Sequence, residues 1–434
     1  MTEAAEVKKS IFRSFPKNFW TVITMEFFER GSYYGVRSIL SVYLVLSVAE
    51  GGLGFSKESV GIITSTFQPL LYLLPIVAGA IADRFGYRAT LVFAFAVMSL
   101  GYLLTGFMTS YALVFASLIF MVVGAGTFKP IISGTIARVT DKTNSTLAFG
   151  IYYWSINLGA FIFPLLLVPM LKQISYSYVF VMAAVGTGSL LLLNFLVYKE
   201  PNRPANSKPL SQVLTEAALV LKDFRFILMI VIYSGFWILY FQQFDSVLWY
   251  FKDYVDKTPI NNFVNSILGL FVSNPNWHFD VEHVTVINAG TIILLQLLIS
   301  KIVKNTKALP TMITGICLGT IGIAILAIST HPFVFIAGIF IFSIGEMTAH
   351  PKFISYVGLI APEDKKALYL GYSFLYGVIG SGIGGVLGAK LYVHFVDNLH
   401  NPTLLWLVFA SIGVATIIGL LLFNKFLAPK NVDA

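Results

Sequence analysis

Apolar stretches long enough to cross a bilayer recur along almost the whole chain, and that recurrence leaves few folds open. A membrane interior offers no water to unpaired backbone groups, so only helices or closed barrels cross it. Runs of about 20–30 residues have the length of helices rather than barrel strands. Twelve helices are predicted, at 19–48, 57–82, 88–108, 111–138, 146–171, 176–198, 225–250, 283–303, 309–329, 332–360, 366–396 and 402–426. The expected fold class is all-α integral membrane, with twelve transmembrane helices in two six-helix halves. A chain that is 57% hydrophobic and only 12% charged is no ordinary soluble domain.

The net charge of +8 invites a nucleic-acid reading, but the placement of the charges excludes it. Twenty Lys and Arg fall on the side of the N-terminus, four (Lys57, Lys172, Lys252, Lys257) on the opposite side, and five within helices. By the positive-inside rule both termini are expected in the cytoplasm. Residues 1–18 are polar and basic, without the apolar core of a secretory signal. The single cysteine, Cys317, sits in an apolar segment and reads as packing.

The domains expected are an N-terminal six-helix bundle (1–198), a cytoplasmic linker (199–224) and a C-terminal six-helix bundle (225–434). The linker is basic and carries prolines (Lys199, Pro201, Arg203, Pro204, Lys208, Pro209). Residues 251–282 form the longest outer loop, with an apolar patch from Phe263 to Val272 that suits a short interfacial helix. Between helices 2 and 3, Gly79-Ala-Ile-Ala-Asp83-Arg84-Phe-Gly86-Tyr-Arg88 resembles the G-x-x-x-D-R-x-G-x-R loop motif of major facilitator proteins. The resemblance implies that Gly79 lets helices approach while Asp83 and Arg84 clamp neighbouring helix ends.

Chemistry is concentrated where charge enters the apolar segments. Glu26-Phe-Phe-Glu29-Arg30-Gly-Ser-Tyr33-Tyr34-Gly35 puts two carboxylates and a guanidinium in the first helix. Each charge at mid-membrane costs about 2.5–3.5 kcal/mol on insertion scales. Glu26, Glu29 and Arg30 lie at i, i+3 and i+4, so Glu26 and Arg30 are expected to pair on one face that Tyr33 and Arg37 continue. Such a titratable polar stripe turned from lipid suits a proton-coupled solute pathway. The further intramembrane candidates are Lys129, Asp245, Glu346, His350 and Lys352, with Lys390 near a helix end. Their spread over helices 1, 4, 7, 10 and 11 places a cavity between the halves.

The decapeptide resembles the E-x-x-E-R-F-x-Y-Y-G signature of the proton-dependent oligopeptide transporter family, departing at Gly31, where that family usually has Phe. Gly124-Ala-Gly-Thr-Phe-Lys129-Pro130 resembles its G-x-G-x-x-K-P-N stretch, with Ile131 for Asn, and its small residues are expected to let helix 4 approach helix 1. On helix 5, Phe149 to Ala160 is similar to F-Y-x-x-I-N-x-G-[SA], with Asn157 at the amide position. Helix 10 carries Gly345-Glu346, then Pro351 and Ala361-Pro362, similar to G-E-x-x-x-S-P…A-P with His350 for Ser. Helix 7, from Phe236 to Gln243, resembles F-W-x-x-[FY]-[ED]-Q-[QA], but Phe241 replaces the acid. Asp245, four residues on and one turn along the same face, is one candidate substitute and His350 another, with a helix-end cap towards the outer loop an equal reading of Asp245.

The resemblance implies a symporter importing di- and tripeptides by alternating access, driven by protons. It implies proton coupling through Glu26, Glu29, Arg30, Lys129 and Asp245. Substrate contacts are expected from Tyr33, Tyr34, Arg37, Tyr72, Lys129, Asn157, Asn288 and Glu346. Arg37 and Lys129 suit a peptide carboxylate, Glu346 its ammonium, and the tyrosines and asparagines its amides. No cofactor is expected beyond the coupling proton, and no metal. The partners expected are the peptide and the lipid bilayer, with no nucleic acid and a functional monomer, in a prokaryotic inner membrane. The rivals are a carrier of another small solute, an anion or a peptide-like compound, and a receptor or scaffold without transport. No nucleophile–base pair, metal-ligand cluster or phosphate loop points to an enzyme.

Overall fold

In the computed structural model, residues 15–141, 144–201 and 210–429 are described. The basic stretch 1–14 and the linker residues Arg203, Pro204, Lys208 and Pro209 lie outside them. Eleven of the described helices are long and apolar enough to cross a membrane. The charged first helix, Lys17–Arg37, precedes them and makes the twelfth span. We label the twelve in order: α1 (Lys17–Arg37), α2 (Lys57–Phe85), α3 (Tyr87–Phe107), α4 (Tyr111–Val139), α5 (Ser145–Lys172), α6 (Tyr176–Leu196), α7 (Phe224–Tyr254), α8 (Glu282–Val303), α9 (Ala308–Ile325), α10 (Pro332–Ile360), α11 (Leu368–Asn398) and α12 (Pro402–Phe426). Each predicted span has its counterpart, within a few residues for all but the first, whose helix ends at Arg37 and is followed by a separate short helix, Leu40–Val45.

The helices pack as two six-helix halves. In the first, α3 lies against α4 and α6, α2 against α4, and α1 against α5 and α6; in the second, α9 lies against α10 and α12, and α7 against α11 and α12. Two seams join the halves, α2 against α11 and α5 against α8. Glycines set a close approach between α9 and α10. A methyl group built on Gly345 would stand 2.4 Å from the Gly319 backbone nitrogen and 2.5 Å from the Gly315 carbonyl. Small-residue stripes let membrane helices gain dispersion contacts that lipid cannot supply. Gly345→Val should therefore cost about 1–3 kcal/mol and lower the Tm of the detergent-solubilised protein. An unchanged Tm would show that the helices separate freely.

The sequence reading needs three corrections of packing. Gly124 and Gly126 do not bring α4 to α1: methyl groups there would meet Ala94 and Met98 of α3, and Leu74 of α2. Gly79 makes no tight approach, since its nearest neighbour would be Pro130 at 3.8 Å. Asp83, by contrast, does clamp, binding Arg138 at 2.8 Å, and Gly86 turns the chain at φ 102°. The outer-loop helix is Thr258–Leu268, starting earlier than the patch suggested, with Leu270, Phe271 and Val272 exposed beyond its end. The linker also contains a helix, Leu210–Leu221.

Gly31, the departure from the family signature, has a structural counterpart. The Phe163 ring occupies the space where a Gly31 side chain would go, with a built Cβ only 2.4 Å from that ring. The α5 backbone approaches α1 there through Gly159 as well. The aromatic ring missing from α1 is thus supplied by α5.

Candidate functional site

Several of the helices that carry the polar residues, α1, α5, α7 and α11, are interrupted along their length. α1 stops at Arg37 and resumes as Leu40–Val45; α7 stops at Gln242 and resumes at Ser246. α5 passes through a wider π-type turn at Phe163–Leu167, whose second residue is Pro164. Irregular backbone within a span is tolerated where it is buried in protein.

On α1, Arg30 lies between two carboxylates, but with unequal partners. Its Nε and NH2 donate to Glu29, at 2.5 and 2.7 Å, in the forked arrangement that suits guanidinium and carboxylate. Glu26, buried, stands 3.8 Å from Arg30 Nε and has the Tyr152 hydroxyl near it, but neither of its oxygens makes a close hydrogen bond. The expected Glu26–Arg30 pairing is therefore the weaker of the two. Arg30 also lies over the Tyr33 ring at 4.7 Å. Lys129 is within electrostatic reach of Glu26, Glu29 and Arg30, but among the described residues no carboxylate comes within 4.0 Å of its ammonium. It lies 5.8 Å above the Tyr72 ring.

A cavity of about 250 Å³ lies between the halves. Tyr34, Tyr72, Lys129, Tyr153 and Asn157 line it from the first half. Trp237, Tyr240 and Gln243 of α7, Asn288 of α8, Glu346 and His350 of α10 and Tyr376 of α11 line it from the second. Among the described residues, the cationic Lys129 and the anionic Glu346 of this lining thus come from opposite halves. Asn288 Nδ2 donates to Glu346 Oε2 and to Ser343 Oγ, both at 2.9 Å, which fixes the carboxylate against α8. Asn157 donates to the Tyr153 carbonyl at 2.9 Å. His350 lies edge-on to Trp237 and Tyr376, with ring centres 5.3 and 5.5 Å away.

Six of the predicted substrate residues line this cavity: Tyr34, Tyr72, Lys129, Asn157, Asn288 and Glu346. Tyr33 and Arg37 do not. The Tyr33 hydroxyl donates to Gln68 Oε1 at 3.2 Å. Arg37 NH1 reaches Asp245 Oδ1 at 3.3 Å, and its guanidinium lies over the rings of Phe244 and Phe67. Asp245 does not reach the cavity either, because α7 breaks after Gln242 and turns the carboxyl towards α1. Phe241, in the place of the missing acid, is buried beside Tyr72 and Trp237. Lys352 binds the Thr306 carbonyl at 2.6 Å, away from the cavity. The sequence reading did not assign Tyr153, Trp237, Tyr240 and Gln243 to the cavity, although they stand within motifs it quoted. Tyr376 carried no signal at all.

At the end of the bundle away from Lys17, ion pairs join the halves. Lys57 binds Asp397 at 2.7 Å, Lys172 binds Asp280 and Glu282 at 2.6 Å each, Lys252 binds Glu50 at 3.6 Å, and Arg37 binds Asp245. Trp249 Nε1 donates to the Ser41 carbonyl at 3.1 Å. At the opposite end the pairs Arg138–Asp83 and Lys366–Glu363 each stay within one half. The cavity is thus sealed at one end.

Burial pushes the Asp280 carboxyl up, but the Lys172 ammonium outweighs it and holds Asp280 below the usual carboxylate range. A depressed pKa gives stability that is present above the unfolded value and lost only as pH falls through the folded one. The Lys172–Asp280 clamp therefore stays ionised from neutral to mildly acidic pH. Asp280→Asn should leave the midpoint of any transport pH profile unmoved. A displaced midpoint would make Asp280 part of the proton sensor.

A profile of the Major Facilitator Superfamily matches residues 30–273 and 260–433. The chain is 30% identical to a di-/tripeptide transporter of Lactococcus lactis over 290 residues, 63% of this chain and 54% of that one. It is 33% identical to the uncharacterized transporter YclF of Bacillus subtilis over 190 residues, 43% of this chain and 38% of that one. Those alignments thus span about half, or less, of each relative. The peptide transporter YePEPT of Yersinia enterocolitica aligns at 24% identity over 91% of this chain and 90% of that one. A crystal structure of a peptide transporter POT in complex with sulfate superposes with a TM-score of 0.77, at 20% identity and 94% coverage of both chains, a likeness of fold. The chain therefore belongs to the Major Facilitator Superfamily.

Proposed function

We propose that this protein is a proton-coupled symporter that imports di- and tripeptides by alternating access. The observation that carries the reading is the cavity between the halves, with Lys129 on one wall, Glu346 on the other and hydrogen-bonding side chains between them. A zwitterionic peptide has its carboxylate and ammonium separated by amides, and this cavity offers a partner for each. Lys129 takes the carboxylate and Glu346, braced by Asn288, takes the ammonium. Tyr34, Tyr72 and Asn157 take the amides. Arg37 acts outside the contact set, as the clamp that closes the cavity. The peptide names of the relatives agree with this cargo.

For coupling, we assign the proton to Glu26. A buried carboxylate with no close hydrogen bond, only Arg30 Nε at 3.8 Å and the Tyr152 hydroxyl nearby, is costly to keep charged, so protonation and release there change the balance around Arg30 and Lys129. Single neutralisation of Glu26, Glu29, Arg30 or Lys129 should abolish proton-driven uptake, while exchange of one peptide for another persists for at least Glu26→Gln. Uptake that still follows a pH gradient in Glu26→Gln would remove Glu26 from the path.

We take the halves to be residues 1–198 and 225–434, moving about the cavity, with the linker and both termini cytoplasmic in a prokaryotic inner membrane. The sealed end then faces outward, and the structure is inward-facing. The working unit we assume is a monomer in the bilayer, needing no cofactor beyond the proton and catalysing no covalent step. His350 in the cavity and Phe241 at the acid position favour one rival, a carrier of another peptide-like solute. Counterflow of labelled dialanine in liposomes, competed by peptides, amino acids and nitrate, separates the two. Competition by di- and tripeptides alone supports the peptide reading, and indifference to them refutes it.

A further inference from the structure

The loop between α7 and α8 is composed unlike one that faces water. From Thr258 to Trp277 it carries no ionisable side chain. Its helix, Thr258–Leu268, presents three flanks. One faces the protein, with Ile260 buried and Asn261 and Asn265 holding the returning chain. Asn261 Oδ1 accepts from the Phe279 N–H at 2.7 Å; Asn265 Oδ1 accepts from the Trp277 N–H at 2.8 Å, and its Nδ2 donates to the Trp277 carbonyl at 2.9 Å. The second flank is exposed and polar, with Asn262 and Ser266 one turn apart. The third is exposed and apolar, with Phe263 and Ile267 one turn apart, and it is followed by exposed Leu270, Phe271 and Val272.

Two observations say what covers the apolar flank. Phe263 lies edge-on to Phe333, with ring centres 6.0 Å apart, and Phe333 is an exposed residue in the first turn of the α10 span. The flank is therefore continuous with the outer surface of a membrane helix. The tip also has its backbone donors paired: the N–H groups of Gly269, Leu270, Phe271 and Val272 donate to carbonyls of Asn265, Ile267 and Leu268. An apolar turn whose amides are satisfied internally enters a lipid interface without stranding them. We propose that residues 258–272 form an arm seated in the bilayer interface at the sealed end. Phe263, Ile267, Leu270, Phe271 and Val272 face the acyl chains, and Asn262 and Ser266 face water. Apolar burial alone holds an uncharged arm, so its seating is independent of anionic lipid. The arm returns through Trp277 and Phe279 into Asp280, the partner of Lys172, so the clamp across the halves stands on a scaffold fixed to lipid.

Nitroxide labels test the seating in the full chain. They are placed on Ile267→Cys, Phe271→Cys and Asn262→Cys, each in a Cys317→Ser background, and the proteins are reconstituted in liposomes. Collision with oxygen, which concentrates in the bilayer, is compared with collision with a nickel chelate confined to water. The Tm of each labelled variant against its parent reports whether it is folded, and Leu270→Cys replaces either apolar position if it is not. At positions 267 and 271 oxygen access should exceed nickel access by about three-fold or more, with the order reversed at 262. The same ratios should hold in vesicles of zwitterionic lipid alone and in vesicles containing anionic lipid. Nickel access at the apolar positions equal to that at 262 would overturn the proposal. So would protection from both reagents with spin–spin broadening that dilution by unlabelled chains relieves, the mark of a second copy on this face. A seating that appears only with anionic lipid would refute anchoring by apolar burial.

Discussion

Asp245→Asn should nearly abolish proton-driven peptide uptake, lowering it by about 10²–10³-fold. The pair it breaks is buried on both sides and spans the halves, and removing one partner of a buried ion pair costs about 3–5 kcal/mol because the other charge is left uncompensated. That cost falls on the state in which Arg37 and Asp245 meet, the one with this end of the cavity sealed. The population should shift towards the outward-open state, which spectroscopic distances between labels near Lys57 and Asp397 would register as a widening. A second substitution sharpens the test. Arg37→Gln combined with Asp245→Asn removes the stranded charge as well, and should recover more transport than either single variant. If the double variant is as poor as the singles, the two residues act through something other than their mutual pairing.

Glu346→Gln should weaken free dipeptides by about 10–100-fold while leaving N-acetylated dipeptides within about three-fold of their starting affinity. A hydrogen bond to a charged group is worth about 1.5–3 kcal/mol, and the substitution removes the carboxylate that, among the described residues, lines the cavity. Asn288, which holds Glu346 in place, should share the pattern more weakly when changed to Ala. Competition binding with the paired peptides reads the difference directly. Equal losses for free and acetylated peptides would make Glu346 a bracing residue for α8 rather than a partner of the cargo.

The helices were legible because the bilayer imposes one length and one polarity on each of them. Eleven of the twelve spans are long and apolar enough to be read from length and polarity alone. The breaks in α1 and α7 were not legible, and the errors follow from them. Treated as one regular helix, α7 places Asp245 on the face of Phe241, one turn along; the break after Gln242 turns it to Arg37 instead. The same pairing takes Arg37 out of the cavity, where helical spacing from Glu26 had placed it. Arg30 illustrates another limit. Spacing favoured Glu26, but rotamer and packing give the forked contact to the adjacent Glu29, which no periodicity argument reaches.

Cavity residues were readable where polarity stood out against an apolar helix, as with Lys129, Glu346 and Asn288. Tyr153, Trp237, Tyr240 and Tyr376 were not, because an aromatic side chain in such a helix is equally at home in packing. Only the meeting of α5, α7 and α11 around one space separates the two roles. Gly124 and Gly126 show the converse: a small-residue stretch announces close approach, but not which neighbour approaches.

The central claim is that protons drive peptide accumulation through this chain. Its most direct test is uptake of labelled dialanine by liposomes containing the purified protein, with the outside made more acidic than the lumen. Accumulation should exceed the external concentration, collapse on addition of a protonophore, and be lost in Glu26→Gln. Dialanine that only equilibrates, at a rate indifferent to the pH gradient, would contradict the account.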